Sequence, residues 1–151
     1  MTKFINRLDN NTIAYNQLTG KNVGIVFLSG FNSDMQGKKA LYIEKWAKDN
    51  NHSFLRFDYS GHGQSTGDFL KLGIGDWLND ARQIVEFIDN NEVILVGSSM
   101  GGWISLLLSR ELGRKLKGLI TIAAAPDFTE DSMWKNFTDD QKKELLDKGI
   151  T

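Results

Sequence analysis

The stretch Glu92–Trp103, EVILVGSSMGGW, carries an apolar run into a glycine-rich turn and out into a helix-like segment. Val93 to Val96 have no polar break, which is the composition of a short strand buried on both faces. Gly97 to Gly102 make the turn, and GGWISLLLSREL then reads as a helix that is apolar nearly all round. A buried strand feeding a buried helix is the repeating unit of a parallel sheet covered on both sides. The flanking sequence should repeat it.

It does so in both directions. NVGIVFLSG is another apolar run ending in glycine, followed by the helix-like KKALYIEKWAKDNN, the strand SFLRFDYS and the helix GDWLNDARQIVEFIDNN. In that helix Trp77, Leu78, Ala81, Ile84, Val85 and Ile88 recur at helical spacing, opposite Asn79, Asp80, Arg82 and Glu86, which marks a core stripe rather than a cofactor site. Beyond the opening stretch, LKGLITIAAA predicts a further strand, and MWKNFTDDQKKELLDKG a more polar helix after the single proline, Pro126. At the start, KFINRLD and TIAYNQL partly alternate and are joined by Asp9, Asn10 and Asn11, which predicts an antiparallel pair at a sheet edge. The expected fold class is α/β, a mostly parallel sheet with helices on both faces. Residues 1–126 form its core and 127–151 begin a helical lid.

Composition narrows the function. A length of 151 residues supports one core. A formal net charge of -1 leaves no electrostatic footprint for nucleic acid or an anionic membrane, so a small neutral or apolar substrate fits better. The absence of cysteine excludes disulfides, thiol catalysis and thiolate zinc sites, and two histidines do not make a His-rich metal site. No cofactor or metal is expected. MTKFINRLDNN lacks the apolar region of a signal peptide and no segment is long enough to span a membrane, so a cytoplasmic location is expected.

The Gly97-x-Ser99-x-Gly101 frame sits where a strand turns into a helix, the context a nucleophilic serine needs. Glycines on either side let the neighbouring chain approach, and Ser99 can take a strained backbone that lifts its hydroxyl above the sheet. The backbone N–H of Met100, at the helix start, would then face the negative charge of a tetrahedral intermediate. A second donor is expected from the loop FLSGFNSD, with the N–H of Phe31 as the candidate; the plain alternative is that Ser29, Gly30 and Asn32 only make a turn. His62, inside RFDYSGHGQSTG, precedes the serine and is flanked by glycines, which suits a turn-stabilising surface residue better than a base. His52 follows Asp49, Asn50 and Asn51 at a helix end, an ordinary solvated position.

These motifs, taken in order, resemble those of the α/β-hydrolase superfamily, in particular the mitochondrial acyl-protein thioesterase and acyl-glucuronide esterase type. FLSGFNSDMQGKKAL, RFDYSGHGQSTG, GDWLNDA, ILVGSSMGGW and ITIAAAPDF carry the likeness, which runs through almost all of the chain. The resemblance implies a serine hydrolase of esters or thioesters, with Ser99 as nucleophile, Met100 and Phe31 as oxyanion hole and His62 structural. It also implies two further strands, bearing the triad's aspartate and histidine, that are not in this sequence. Asp127 stands where some α/β-hydrolases carry an alternative acid, though the resembled type uses a later one.

Two readings follow. One is a serine esterase or thioesterase whose acid and base lie on chain not included here. The other is a non-catalytic remnant or split-chain half that binds an acyl ligand or a partner. Trp103, Phe128 and Trp134, with Phe31, Met100, Met133 and Phe137, suggest an apolar acyl pocket, though each would equally serve as core or lid packing. GLITIAAA would be left as an apolar sheet edge, which favours self-association or a complementing C-terminal half.

Overall fold

Six strands build one sheet in the computed structural model, which describes residues 1–7 and 10–149. They are β1 (Lys3–Asn6), β2 (Thr12–Leu18), β3 (Asn22–Leu28), β4 (His52–Phe57), β5 (Val93–Ser98) and β6 (Leu116–Ile122), ordered β1-β2-β4-β3-β5-β6. β4, β3, β5 and β6 run parallel, whereas β1 and β2 add antiparallel at one edge. The expected hairpin is therefore the edge of the sheet. Of its turn residues, Asn10 has φ 65, and Asp9 lies outside the described residues.

The helices are α1 (Lys38–Asp49), α2 (Ile74–Val85), α3 (Met100–Leu112) and α4 (Asp139–Lys148). The stripe read from the sequence faces inward: Trp77, Ala81, Ile84 and Val85 of α2 join Met100, Ile104 and Leu108 of α3 against Val26, Leu28, Leu55 and Leu95. α1 covers the opposite face, where Ala40 and Ala47 pack on Ile25, Phe27, Phe54 and Val96. Helices thus lie on both faces, as the apolar strands require. The segment after β6 differs from the single helix expected from its sequence. A π-helical turn, Thr129–Trp134, precedes α4, which Thr138 caps by accepting from Gln141 N–H.

This topology decides where a site can form. The chain leaves β3 through α1 to reach β4 on one side, then returns through α2 to β5 on the other. The two crossovers diverge at the carboxyl ends of β3 and β5, the place where open α/β sheets bind ligands. Leu28 pairs with Gly97, which brings the Ser29–Asn32 turn and Ser99 to the same place.

Candidate active site

Ser99 sits at the sharp junction of β5 and α3 with φ 54 and ψ −120, outside the regions an L-residue ordinarily adopts. Such a conformation costs on the order of 1–3 kcal/mol and persists only where the surroundings enforce it. The glycines of the frame supply that enforcement. A Cβ on Gly97 would stand 2.3 Å from the Gly101 carbonyl oxygen, and one on Gly101 would stand 2.1 Å from that of Leu28. The turn is wedged between α3 and the end of β3. Ser99 N–H donates to Ile122 O at 3.0 Å, and its carbonyl accepts from Ala125 N–H at 3.2 Å. Between buried Ser98 and buried Met100, the serine is exposed.

The second loop lies directly against it. A Cβ on Gly30 would meet the Ser99 Cβ at 3.3 Å. Met100 N–H begins α3, and neither it nor Phe31 N–H enters any of the turn, loop or cap hydrogen bonds among the described residues. Two uncommitted donors therefore flank the serine, one of them at the positive end of a helix. The Phe31 ring rests on Phe69 at 5.3 Å, Trp77 at 5.9 Å and Phe128 at 5.7 Å, and Phe128 meets Trp103 at 5.9 Å. Phe31, Trp103 and Phe128 are thus brought together. Among the described residues no ring contact joins Trp134 to this group, and its ring lies under Lys142 Nζ at 5.8 Å.

Neither histidine reaches the serine. His62, expected at the surface, is buried: its Nδ1 lies 3.1 Å from Ser60 O, and its Nε2 accepts from Asn32 N–H at 3.2 Å. His52 is the first residue of β4 rather than a solvated helix end, with Nδ1 2.7 Å from Val23 O and its ring stacked on Trp46. Asp127 is exposed, and its carbonyl caps the following turn by accepting from Glu130 and Asp131 N–H. Among the described residues no cluster could hold a metal ion and no helix is long and apolar enough to cross a membrane.

Two buried carboxylates lie beside this site: Asp58, not singled out from the sequence, and Asp80, which the helical spacing placed on the polar face of α2 but which is fully buried. Asp58 accepts from Met35 N–H at 2.6 Å and from Gln64 N–H at 2.8 Å; burial pushes its pKa up, partly offset by those two bonds. Asp80 accepts from Ser60 N–H at 2.7 Å and pairs with Arg7 at 3.1 Å, and burial raises its pKa too. The signal was present in RFDYSGHG, where an aspartate ends an apolar strand. A carboxylate there must find donors in the adjoining loops.

Residues 21–146 match the family described as serine aminopeptidase, S33. The rat palmitoyl-protein thioesterase ABHD10, mitochondrial, is 44% identical over 124 residues, which are 82% of this chain and 42% of the rat protein. Its human counterpart is 40% identical over 147 residues, 97% of this chain and 48% of that protein. The solved structure of alpha/beta hydrolase domain-containing protein 10 from mouse superposes with a TM-score of 0.87 at 37% identity, covering 99% of this chain and 59% of that one. The chain spans about half the length of the relatives it matches. These relatives overturn the expected cytoplasmic location, since both are named as mitochondrial proteins. The physical reason is that a compartment is addressed by targeting segments outside the folded core, so core composition does not report it.

Proposed function

Because the chain belongs to the serine aminopeptidase S33 family of α/β-hydrolases, we propose that it forms the nucleophile-bearing part of a serine hydrolase that cleaves carboxylic thioesters or esters. The observation that carries this reading is Ser99 itself, exposed at φ 54 and ψ −120 between two uncommitted backbone donors. Its Oγ attacks the carbonyl carbon and gives up its proton to a base. The carbonyl oxygen gains the charge and turns toward Met100 and Phe31 N–H. Collapse expels the thiolate or alkoxide and leaves an acyl-serine, which water hydrolyses. A thiolate, with a conjugate acid near pKa 8.5, needs less help from an acid than an alkoxide does. Relatives named as palmitoyl-protein thioesterases favour the thioester, and the Phe31, Phe128 and Trp103 rings offer an apolar seat for the acyl chain. Residues 127–149, with the π-helical turn and α4, are the beginning of the lid over that seat.

Both histidine rings are engaged away from Ser99, which favours a division of labour: this chain supplies nucleophile and oxyanion hole, and further polypeptide supplies acid and base. The outer edge of β6, with Ile120 53% exposed, is the surface for that complementing half or a second copy. Labelling with an alkyl fluorophosphonate, read by mass spectrometry, tests the reading. Ser99 should label slowly in the native fold, over hours with excess reagent, and Ser99→Ala should not. Hydrolysis of p-nitrophenyl acetate by the chain alone should stay near buffer, because loss of a triad member costs about 10⁴–10⁶ in rate. Brisk turnover abolished by Ser99→Ala would show a base within these residues, and a folded protein whose Ser99 never labels would remove the nucleophile.

A further inference from the structure

On the reading that Phe31 N–H is an oxyanion donor, we infer that His62 is a positioning residue, whose neutral imidazole holds the Gly30–Asn32 peptide in place as a hydrogen-bond acceptor. Within the loop after β3 the side-chain bonds are local, Ser33 Oγ donating to Phe31 O at 3.3 Å and Gln36 N–H to Asp34 Oδ1 at 2.8 Å. Phe31, Asn32, Ser33 and Asp34 are exposed, and its own backbone bonds are long, Ser33 N–H to Gly30 O at 3.3 Å and Gly37 N–H to Asp34 O at 3.4 Å. Its anchors come from β4 and the loop that follows. Arg56 donates to Met35 O at 2.9 Å, Asp58 accepts from Met35 N–H, and His62 accepts from Asn32 N–H. The first two hold the far end of the loop. Among the described residues, His62 is the side chain that bonds Asn32 N–H, directly after Phe31.

The tautomer follows from the partners. Ser60 O can only accept, so His62 Nδ1 carries the hydrogen and Nε2 presents its lone pair to Asn32 N–H. Trp77 Nε1 donates to the same carbonyl at 3.0 Å, and the His62 ring meets Trp77 at 5.2 Å, Phe69 at 5.1 Å and Tyr59 at 5.9 Å. The Phe31 ring leans on the same Phe69 and Trp77. His62 thus fixes the loop twice, through Asn32 N–H and through the rings under Phe31. With Asn32 N–H engaged, the N–H left to face a developing oxyanion is that of Phe31. Protonation of His62 would set an Nε2–H against the Asn32 N–H, donor to donor, and release the peptide. The charged groups around the ring are the Asp58 carboxylate and, behind Ser60, the Asp80 carboxylate; the remaining faces meet the rings named above.

The test has a structural and a kinetic arm. Ring ¹⁵N shifts of the wild-type protein should show Nδ1 protonated and Nε2 bare at neutral pH, and the Asn32 amide resonance should move with the His62 titration. A protonated Nε2, or an Asn32 amide indifferent to that titration, overturns the inference and leaves the assignment of Ser99 untouched. In the kinetic arm, fluorophosphonate labelling of Ser99 is followed against pH. His62→Phe, which keeps the apolar ring and removes the acceptor, should label roughly 10-fold more slowly, a part of the ~10²–10³ lost when an oxyanion donor is removed outright. His62→Gln, whose amide oxygen can accept from Asn32 N–H, should recover most of that rate and lose the acid-side decline of wild type. Equal rates for wild type and a folded His62→Phe, or an unchanged pH profile in His62→Gln, overturn the inference. Should wild-type Ser99 not label at all, the proposed function fails, and the resonance measurements still decide the role of His62.

Discussion

Gly101→Ala places one methyl group where three chain segments converge. Its carbon would lie 2.1 Å from Leu28 O and 2.4 Å from Ser29 O, whereas ordinary contact begins at 3.4 Å. The obstructing atoms are backbone, so no rotamer change relieves the clash, and α3 must separate from the end of β3 by about an ångström. Overpacking costs ~1–3 kcal/mol, and a clash with two carbonyls belongs near 3. At ~2–4 °C per kcal/mol for a chain of this size, the midpoint should fall by roughly 6–12 °C. The same displacement moves Ser29 and Phe31 away from Ser99, so labelling should slow even below the melting transition. Thermal unfolding by circular dichroism and labelling at 15 °C measure the two effects separately. Gly75→Ala is the control: a Cβ there meets nothing within 4 Å in α2, and helix propensity should raise stability by up to about 1 kcal/mol. A Gly101→Ala protein melting with wild type, or labelling at the wild-type rate, would refute the close approach on which the site geometry rests.

Phe128→Ala should weaken discrimination between long- and short-chain alkyl fluorophosphonates, since each buried methylene is worth ~0.8 kcal/mol, or about fourfold in rate; an unchanged chain-length profile would place the acyl chain elsewhere. Burial raises the folded pKa of Asp80, so its contribution to stability is complete below the unfolded value of about 3.9 and is lost as pH rises through the folded one. Urea unfolding should therefore show the balance between wild type and Asp80→Asn shifting against wild type as pH rises from 4, and the opposite slope would contradict the burial argument. Sedimentation at tens of micromolar should show association through β6, whereas a stable monomer with amides 118–125 strongly protected from exchange would show that the sheet closes its own edge.

The elements that were legible in the sequence are those whose pattern is set by burial. The α2 stripe from Trp77 to Val85 and the unbroken run from Val93 to Val96 each allow one placement, against the core. The Gly-x-Ser-x-Gly frame was legible for a different reason, because Gly97 and Gly101 mark where backbone must touch backbone. His62 was misread as a surface residue because glycine neighbours signal a turn and say nothing of what packs over it. The rings of Tyr59, Phe69 and Trp77 that bury it come from three separate segments. Asp58 escaped notice and Asp80 was placed on the polar face of α2 for a similar reason: a lone acidic residue takes its meaning from donors that arrive through tertiary contact, here Met35, Gln64, Ser60 and Arg7. Trp134 meets Lys142 of α4, a contact its aromatic character did not announce.

On the proposed reading, the contacts around Ser99 serve one of the two demands of acyl transfer, which differ physically. An oxyanion hole works by preorganisation, through donors fixed before the charge develops. In the proposed site the fixing contacts are short-range: glycine contacts wedge Ser99 between α3 and β3, and the loop after β4 bonds Asn32 and Met35 N–H. Every one of these contacts lies on the β4-β3-β5 side of the sheet or at the first turn beyond β6. Proton transfer places a different demand, for an imidazole that is free to take up and release charge beside the serine. His62 is unsuited to it, since its Nε2 is already engaged with Asn32 N–H. A histidine cannot act as that acceptor and as the base for Ser99 at once.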